Sequence, residues 1–241
     1  LMTRGYYEMP SDHIYIRPES WDKPFEAPEH VCSSYDNCHV PWGSTHEKTW
    51  HLVRTLPHVS GLFVWTGFDY LGEPTPYWWP SRSSFFGIVD LAGFPKDIYY
   101  MYKSEWTNEP VLHIFPHWNW KEGEPVDIWA YYNNADEVEL IVNGRSMGRR
   151  INDRTDSKVR NRILWDSIPY KPGYVEAVAY RSGDSKPVAR HRIETAGEAK
   201  RLNAVPDNGD WKADGSDLQH IRVEAVDSKG RRVHGADAQV K

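Results

Sequence analysis

The stretch from Gly61 to Tyr70, G-L-F-V-W-T-G-F-D-Y, constrains the fold more than any other. Leu62, Phe63 and Val64 form a short apolar run of strand formers, the pattern of a strand buried on both faces. The run passes through Trp65, Thr66 and Gly67 to Asp69 and Tyr70, then into L-G-E-P-T-P-Y-W-W-P, a loop dense in aromatics and dotted with carboxylates. In α/β folds, sites are built at the carboxyl ends of parallel strands. Flat aromatic faces beside carboxylates suit a ligand with apolar C–H faces and hydroxyl edges, and a sugar is the commonest such ligand. The same composition serves equally for a surface loop whose tryptophans cover the end of a barrel.

The flanking segments predict helices. Ser44 is a good N-cap and Glu47 stands three residues on, so the two read as a capping box opening a helix over Thr45 to Leu56, stopped by Pro57. A second helix is expected from Pro95, with proline in its first turn and Ile98, Tyr99, Met101, Tyr102 and Trp106 as its apolar face. Helix, strand, long loop, helix is the rhythm of an α/β barrel. Upstream, Pro10, Pro18, Pro24 and Pro28 forbid a long helix. That stretch reads as extended loop on a larger body, since Tyr6, Tyr7, Ile14, Tyr15, Ile16 and Trp21 give it too much apolar mass for a disordered tail.

After Trp106 the period changes. Val111 to Phe115, Val126 to Tyr132, Val138 to Val142, Arg162 to Trp165, Tyr174 to Tyr180 and Val188 to Ile193 read as strands. Asn133-Asn134, Asn143-Gly144 and Ser182-Gly183 supply turns between them, the pattern of an immunoglobulin-like sandwich. From Gly197 a new segment begins, with alternation over Leu218 to Val226 and a turn at Asp227 to Gly230. A (β/α)8 barrel takes about 250 residues, and the sandwich is preceded by residues 1–108 only. The expected organisation is a window on a longer chain: 1–108 the C-terminal part of a TIM-barrel domain, 109–195 an immunoglobulin-like β-sandwich, and 196–241 the start of a further immunoglobulin-like domain.

Composition narrows the partners. A net charge of −5 with no long run of one sign gives no reason to expect nucleic acid. No apolar stretch approaches the ~20 residues that span a bilayer, and the opening L-M-T-R-G lacks the pattern of a signal peptide. Cys32 and Cys38 in C-S-S-Y-D-N-C could close a small disulfide loop, which would favour an exported protein, or remain two free thiols. His30 and His39 lie nearby, at a spacing that matches no zinc pattern.

Several motifs carry a family resemblance in the right order. F-V-W-T-G-F-D-Y-L-G-E-P-T-P-Y at Phe63–Tyr77, G-I-V-D-L-A-G-F-P-K-D at Gly87–Asp97 and V-E-L-I-V-N-G-R-S-M-G at Val138–Gly148 resemble glycoside hydrolase family 2 of the β-galactosidase type. So does D-L-Q-H-I-R-V-E-A-V-D-S-K-G in the last segment. The resemblance implies a retaining hydrolase of terminal β-galactosides or related β-glycosides, using two glutamates about 5 Å apart. It places the nucleophile just ahead of the Arg4-Gly5 pair, before Leu1, and the acid/base farther upstream, so no catalytic residue is expected in this chain and the chain alone is expected to be inactive.

The same resemblance makes Trp65 the tryptophan that lines the galactosyl subsite. It gathers Trp65, Asp69, Tyr70, Glu73 and Trp78 as the substrate-binding set. Within that set Asp69 and Glu73 are expected to hold the loop through hydrogen bonds to backbone N–H groups, while Tyr70, Tyr77, Trp78 and Trp79 shape the rim. Asp36 and Trp42 are weaker candidates, and His39 and His46 read as satisfied surface or core histidines. Where some β-galactosidases carry an asparagine near a monovalent cation, this chain has Phe86, so no metal is expected there, and no cofactor. The implied partner is a carbohydrate substrate, with neither nucleic acid nor membrane, and a homo-oligomer of the intact enzyme is left open. Two rivals stand beside this reading: a non-catalytic carbohydrate-binding module and a structural, partner-binding sandwich.

Overall fold

The computed structural model describes residues 3–4, 15–16, 31–32, 36, 38–39, 43–74, 82–153, 161–234 and 236. Trp42, Tyr77, Trp78, Trp79 and most of the proline-rich stretch lie outside the described residues. Four two-residue strands are placed at the start: β1 (Thr3–Arg4), β2 (Tyr15–Ile16), β3 (Val31–Cys32) and β4 (Cys38–His39). β1 pairs with β3 and β2 with β4, both in parallel, so Cys32 and Cys38 stand in separate strand pairs.

Helix α1 spans His46–Thr55, close to expectation, but it does not begin with the expected capping box. Thr45 is the N-cap and makes no side-chain cap hydrogen bond. The orphan N–H groups are met instead by Asp36, whose Oδ1 accepts from His46 N at 2.8 Å and Oδ2 from Glu47 N at 2.7 Å. A carboxylate at a helix N-terminus also complements the macrodipole. Glu47 is thereby released from a capping role. Helix α2 spans Asp97–Trp106 with Lys96 as N-cap, so Pro95 lies outside the helix and not in its first turn. Lys96 is extended, and its N–H donates to Ile88 O at 3.0 Å, which delays the helix start.

The run Leu62–Val64 forms no ladder among the described residues, and Phe63 is fully exposed, which corrects the doubly buried strand expected there. A strand is defined by its neighbours, and no described segment pairs with these residues. Pairing begins just after it. Thr66 N donates to Phe86 O at 3.1 Å, Ile88 N to Thr66 O at 3.1 Å, Val89 N to Gly67 O at 3.0 Å and Asp69 N to Val89 O at 2.9 Å, with a parallel bridge between Phe68 and Val89.

Beyond α2 lies the sandwich. One sheet contains β5 (Leu112–Phe115), β6 (Pro125–Tyr132) and β9 (Ile163–Pro169) in the order β5-β6-β9. The other contains β7 (Glu137–Val142), β8 (Arg145–Arg150), β10 (Tyr174–Tyr180) and β11 (Ala189–Glu194) in the order β11-β10-β7-β8. All pairings are antiparallel. Asn143 and Gly144, with φ of 49° and 82°, turn β7 directly into β8, as a two-residue hairpin of mirror-image type requires. Alternating residues of both sheets meet in the core: Val126, Ile128, Ala130 and Trp165 from one, Val138, Leu140, Val175 and Ala177 from the other. This is an immunoglobulin-like sandwich.

β6 is buried on its outer face as well. Trp129 and Tyr131 project there and, with Phe115, pack on Ile98, Met101 and Tyr102 of α2. A last hairpin, β12 (Arg201–Pro206) with β13 (Ile221–Val226), follows the sandwich.

Candidate functional site

The loop around Asp69 is built on one close approach and one buried ion pair. Gly87 passes so near the backbone of Phe68 and Asp69 that a Cβ there would collide with Asp69 N and the Phe68 carbonyl carbon. Its N–H donates to Asp69 Oδ1 at 2.8 Å. Lys96 Nζ reaches the same carboxylate at 2.9 Å to Oδ1 and 2.8 Å to Oδ2, and donates to Phe85 O at 3.2 Å. Burial raises the Asp69 carboxyl above the usual carboxylate range, with Lys96 and the Gly87 N–H opposing it. Asp69 thus ties the end of the apolar run to the segment that leads into α2.

Trp65 sits four residues before that anchor, and the Trp65–Thr66 peptide is cis. Its indole Nε1 donates to the Tyr70 hydroxyl at 3.2 Å, and the two rings meet edge to face with centroids 6.1 Å apart. The Tyr70 hydroxyl in turn donates to Glu73 Oε2. Burial and the Glu73 carboxylate raise the phenol's pKa, so the proton stays on Tyr70. Glu73 adopts φ of 45° after Gly72 at 90°, a left-handed pair that turns the chain back toward Tyr70. The Trp65–Tyr70–Glu73 relay holds the indole by its edge and leaves its face open: Trp65 is 72% exposed.

Trp65 and Glu73 line a cavity of about 400 Å³, together with Phe63, Phe86, Ser44 and His46. That volume lies within the range of small-molecule sites, about 300–1,000 Å³. Asp69 and Tyr70 are not part of this lining, and Trp78 lies outside the described residues. His46 Nδ1 is hydrogen-bonded to the Tyr102 hydroxyl at 3.0 Å, and burial lowers its pKa, so it is a satisfied, neutral imidazole. Among the described residues no group of three His, Cys, Asp or Glu side chains is arranged to hold a metal ion.

Lys96 was legible only as part of the F-P-K-D motif. Its bond to Asp69 joins residues 27 positions apart, and no local period signals it. Asp36, a weak candidate from sequence, is the cap of α1.

The sandwich packs on α2, and the loop ahead of α2 lines an aromatic-walled cavity with an exposed tryptophan. The chain is 54% identical over 237 residues to the β-galactosidase BoGH2A of Bacteroides ovatus, covering 98% of this chain and 27% of that protein. It is 34% identical over 238 residues to a putative β-glucuronidase of Formosa agariphila, covering 94% of this chain and 22% of that one. Among solved structures, a β-glycosidase from Bacteroides vulgatus superposes with a TM-score of 0.71 at 33% identity, over 83% of this chain and 24% of that chain. A glycosyl hydrolase family 2 member from Bacteroides cellulosilyticus superposes at 0.65 with 30% identity, over 77% of this chain and 28% of that chain. A family model described as a domain of unknown function, DUF4982, matches residues 123–186, within the sandwich. The chain is thus strongly homologous to a segment of glycoside hydrolase family 2 proteins. It spans about a quarter of the length of the relatives it matches.

Proposed function

We propose that this chain is the supporting part of a retaining β-glycosidase and supplies one wall of its sugar site, with Trp65 as the platform for the substrate ring. The observation that carries the proposal is the state of Trp65: its edge is fixed by Tyr70 and Glu73, and its face opens on the cavity. Aromatic faces packed on apolar ring faces contribute about 0.5–1.5 kcal/mol beyond burial. Tyr70 and Glu73 position the indole, Asp69 anchors the loop, and Trp78 belongs to the rim. Residues 1–108 complete a (β/α)8 barrel, 109–195 form the sandwich, and 196–241 open a further immunoglobulin-like domain.

Two carboxylates are needed for retaining hydrolysis, about 5–5.5 Å apart. Asp69 is engaged by Lys96, and Glu73 accepts from Tyr70, so neither is read as nucleophile or acid. The catalytic pair is assigned to other parts of the intact enzyme. A terminal β-galactoside is the favoured substrate, because the relative named as a β-galactosidase is 54% identical against 34% for the one named as a glucuronidase.

The test is kinetic and uses the full-length enzyme. Trp65→Ala should lower kcat/KM on nitrophenyl β-galactoside at least tenfold, and Tyr70→Phe by a smaller factor through a loosened indole. Preference for nitrophenyl β-glucuronide over the galactoside would refute the substrate. An unchanged kcat/KM in Trp65→Ala would refute the platform.

A further inference from the structure

A second cavity, of about 350 Å³, lies away from the sugar wall, where α2, the sandwich and the last hairpin meet. Four histidines line it: His113 on β5, His117 just after β5, His191 on β11 and His234 on the segment that returns after β13. They form two stacked pairs. His113 and His191 have ring centroids 5.3 Å apart at 22°. His117 and His234 are 4.8 Å apart at 17°, and Trp120 stacks on His117 at 4.4 Å. The first pair joins the two sheets of the sandwich. The second joins the sandwich to the segment that returns after the last hairpin, where Val233 N donates to Ala225 O at 2.8 Å.

We propose that the His117–His234 stack is an acid-sensitive latch, holding the last hairpin against the sandwich at neutral pH and releasing it in mild acid. Two neutral imidazoles stack favourably, whereas two imidazolium rings at this separation repel. His117 has a further reason to stay neutral, because its Nδ1 accepts from Asn119 N at 3.1 Å and a proton there would abolish that bond.

Among the described residues, the charged and titratable groups around the latch come from α2, β11 and the last hairpin with its returning segment. α2 presents Asp97, which accepts from His113 Nε2 at 2.8 Å. β11 presents His191, and Glu194, which lies 3.7 Å from Arg231. The hairpin presents Arg222 and Arg232. Asp97 favours protonation of both latch rings, while Arg232 opposes it at His234 and His234 opposes it at His117. Burial dominates. It lowers His117 to about 3 and His234 to about 4, against an ordinary 6.5.

A released ring recovers the ordinary value, so the undocked state binds more protons below pH 6.5. Docking is therefore strongest above that pH and weakens as pH falls, by up to about tenfold per pH unit for each ring. The hairpin's own anchor does not titrate in this window. Asp227 accepts from Gly197 N and from Arg231, and these bonds hold its carboxyl well below the usual range.

An undocked two-stranded hairpin is marginally stable at best, so release should expose its amides. Hydrogen exchange of β12 and β13 in this chain is compared at pH 7 and pH 5, corrected for intrinsic rates, with β6 and β10 as internal reference. The latch predicts a loss of protection in the hairpin at least tenfold larger than any loss in β6 and β10. It also predicts that His117→Gln with His234→Gln removes most of that pH dependence. Equal protection at both pH values, or an undiminished loss in the double variant, would overturn it. Proton NMR of the unmodified chain gives a check free of folding defects: the two rings should titrate well below 6.5, and ordinary midpoints would also overturn the latch.

Discussion

Glu47 on α1 and Arg162, the residue before β9, form an ion pair, Oε1 to Nη1 at 3.2 Å, with side chains 0% and 3% exposed. Tyr131 of β6 donates to the same carboxylate oxygen at 2.5 Å, and the Arg162 guanidinium lies over the Trp129 ring, 3.0 Å from its centroid. The pair fixes the helical part of the chain to the outer face of the sandwich. Taking one partner from a buried pair leaves an uncompensated charge, at a cost of about 3–5 kcal/mol. Arg162→Met should therefore lower the urea midpoint of the chain sharply. Glu47→Met combined with Arg162→Met should cost less than the sum of the single changes, because the pair is removed together. Strict additivity would show that the two residues act independently.

Gly87 is the most sensitive backbone position in the loop that carries Trp65. Gly87→Ala must push apart Phe68–Asp69 and the strand-like segment opposite. The expected result is loss of amide protection at Asp69 and Val89, whose N–H groups make the bridging bonds. Lys96→Met should loosen the same place by stranding Asp69. Normal protection at both amides in Gly87→Ala would mean that the loop accommodates a side chain.

The sandwich should fold when expressed alone as Glu109 to Thr195. Its core draws on both sheets, and Leu140 is fully buried within it. A cooperative melt with a β-type circular dichroism spectrum is expected. Leu140→Ala should destabilise this unit by about 2–5 kcal/mol. A non-cooperative melt would place the boundary elsewhere.

His191 gives the sandwich its own pH dependence. Its Nδ1 accepts from Ile114 N at 2.9 Å, and burial with the neighbouring His113 lowers its pKa to about 4. The unfolded ring, near 6.5, takes up protons first, so stability is complete above that value and falls as pH drops toward 4. Denaturation of the chain at pH 7, 6 and 5 should show a slope that His191→Gln reduces by up to tenfold in equilibrium constant per pH unit. The same slope in both proteins would assign the acid sensitivity to other groups.

What the sequence disclosed was local. β6, β7 and β10 announced themselves by alternation, and Asn143-Gly144 by the two positive φ angles it accommodates. β8, R-S-M-G-R-R, escaped because it is a polar, exposed edge strand with no apolar period. β12 escaped for a similar reason, being largely exposed and closed by a proline. Ser44 and Glu47 had the spacing of a capping box, but Tyr131 and Arg162 claim Glu47 from 84 and 115 positions away, which no local pattern encodes. At the candidate site, Trp65 was legible as an aromatic at the end of an apolar run. The relay through Tyr70 to Glu73 and the Asp69–Lys96 pair were not, because they depend on the turn at Gly72 and on the approach of Gly87.

In the proposed function this chain supplies a sugar platform while the catalytic carboxylates belong to other parts of the enzyme. Its most direct test is turnover of nitrophenyl β-galactoside by the 241-residue chain beside the full-length enzyme. No hydrolysis above the uncatalysed rate is expected of the chain, and robust hydrolysis of the full-length enzyme. Hydrolysis by the chain that Asp69→Asn or Glu73→Gln abolishes would contradict it, and would make those carboxylates the catalytic pair.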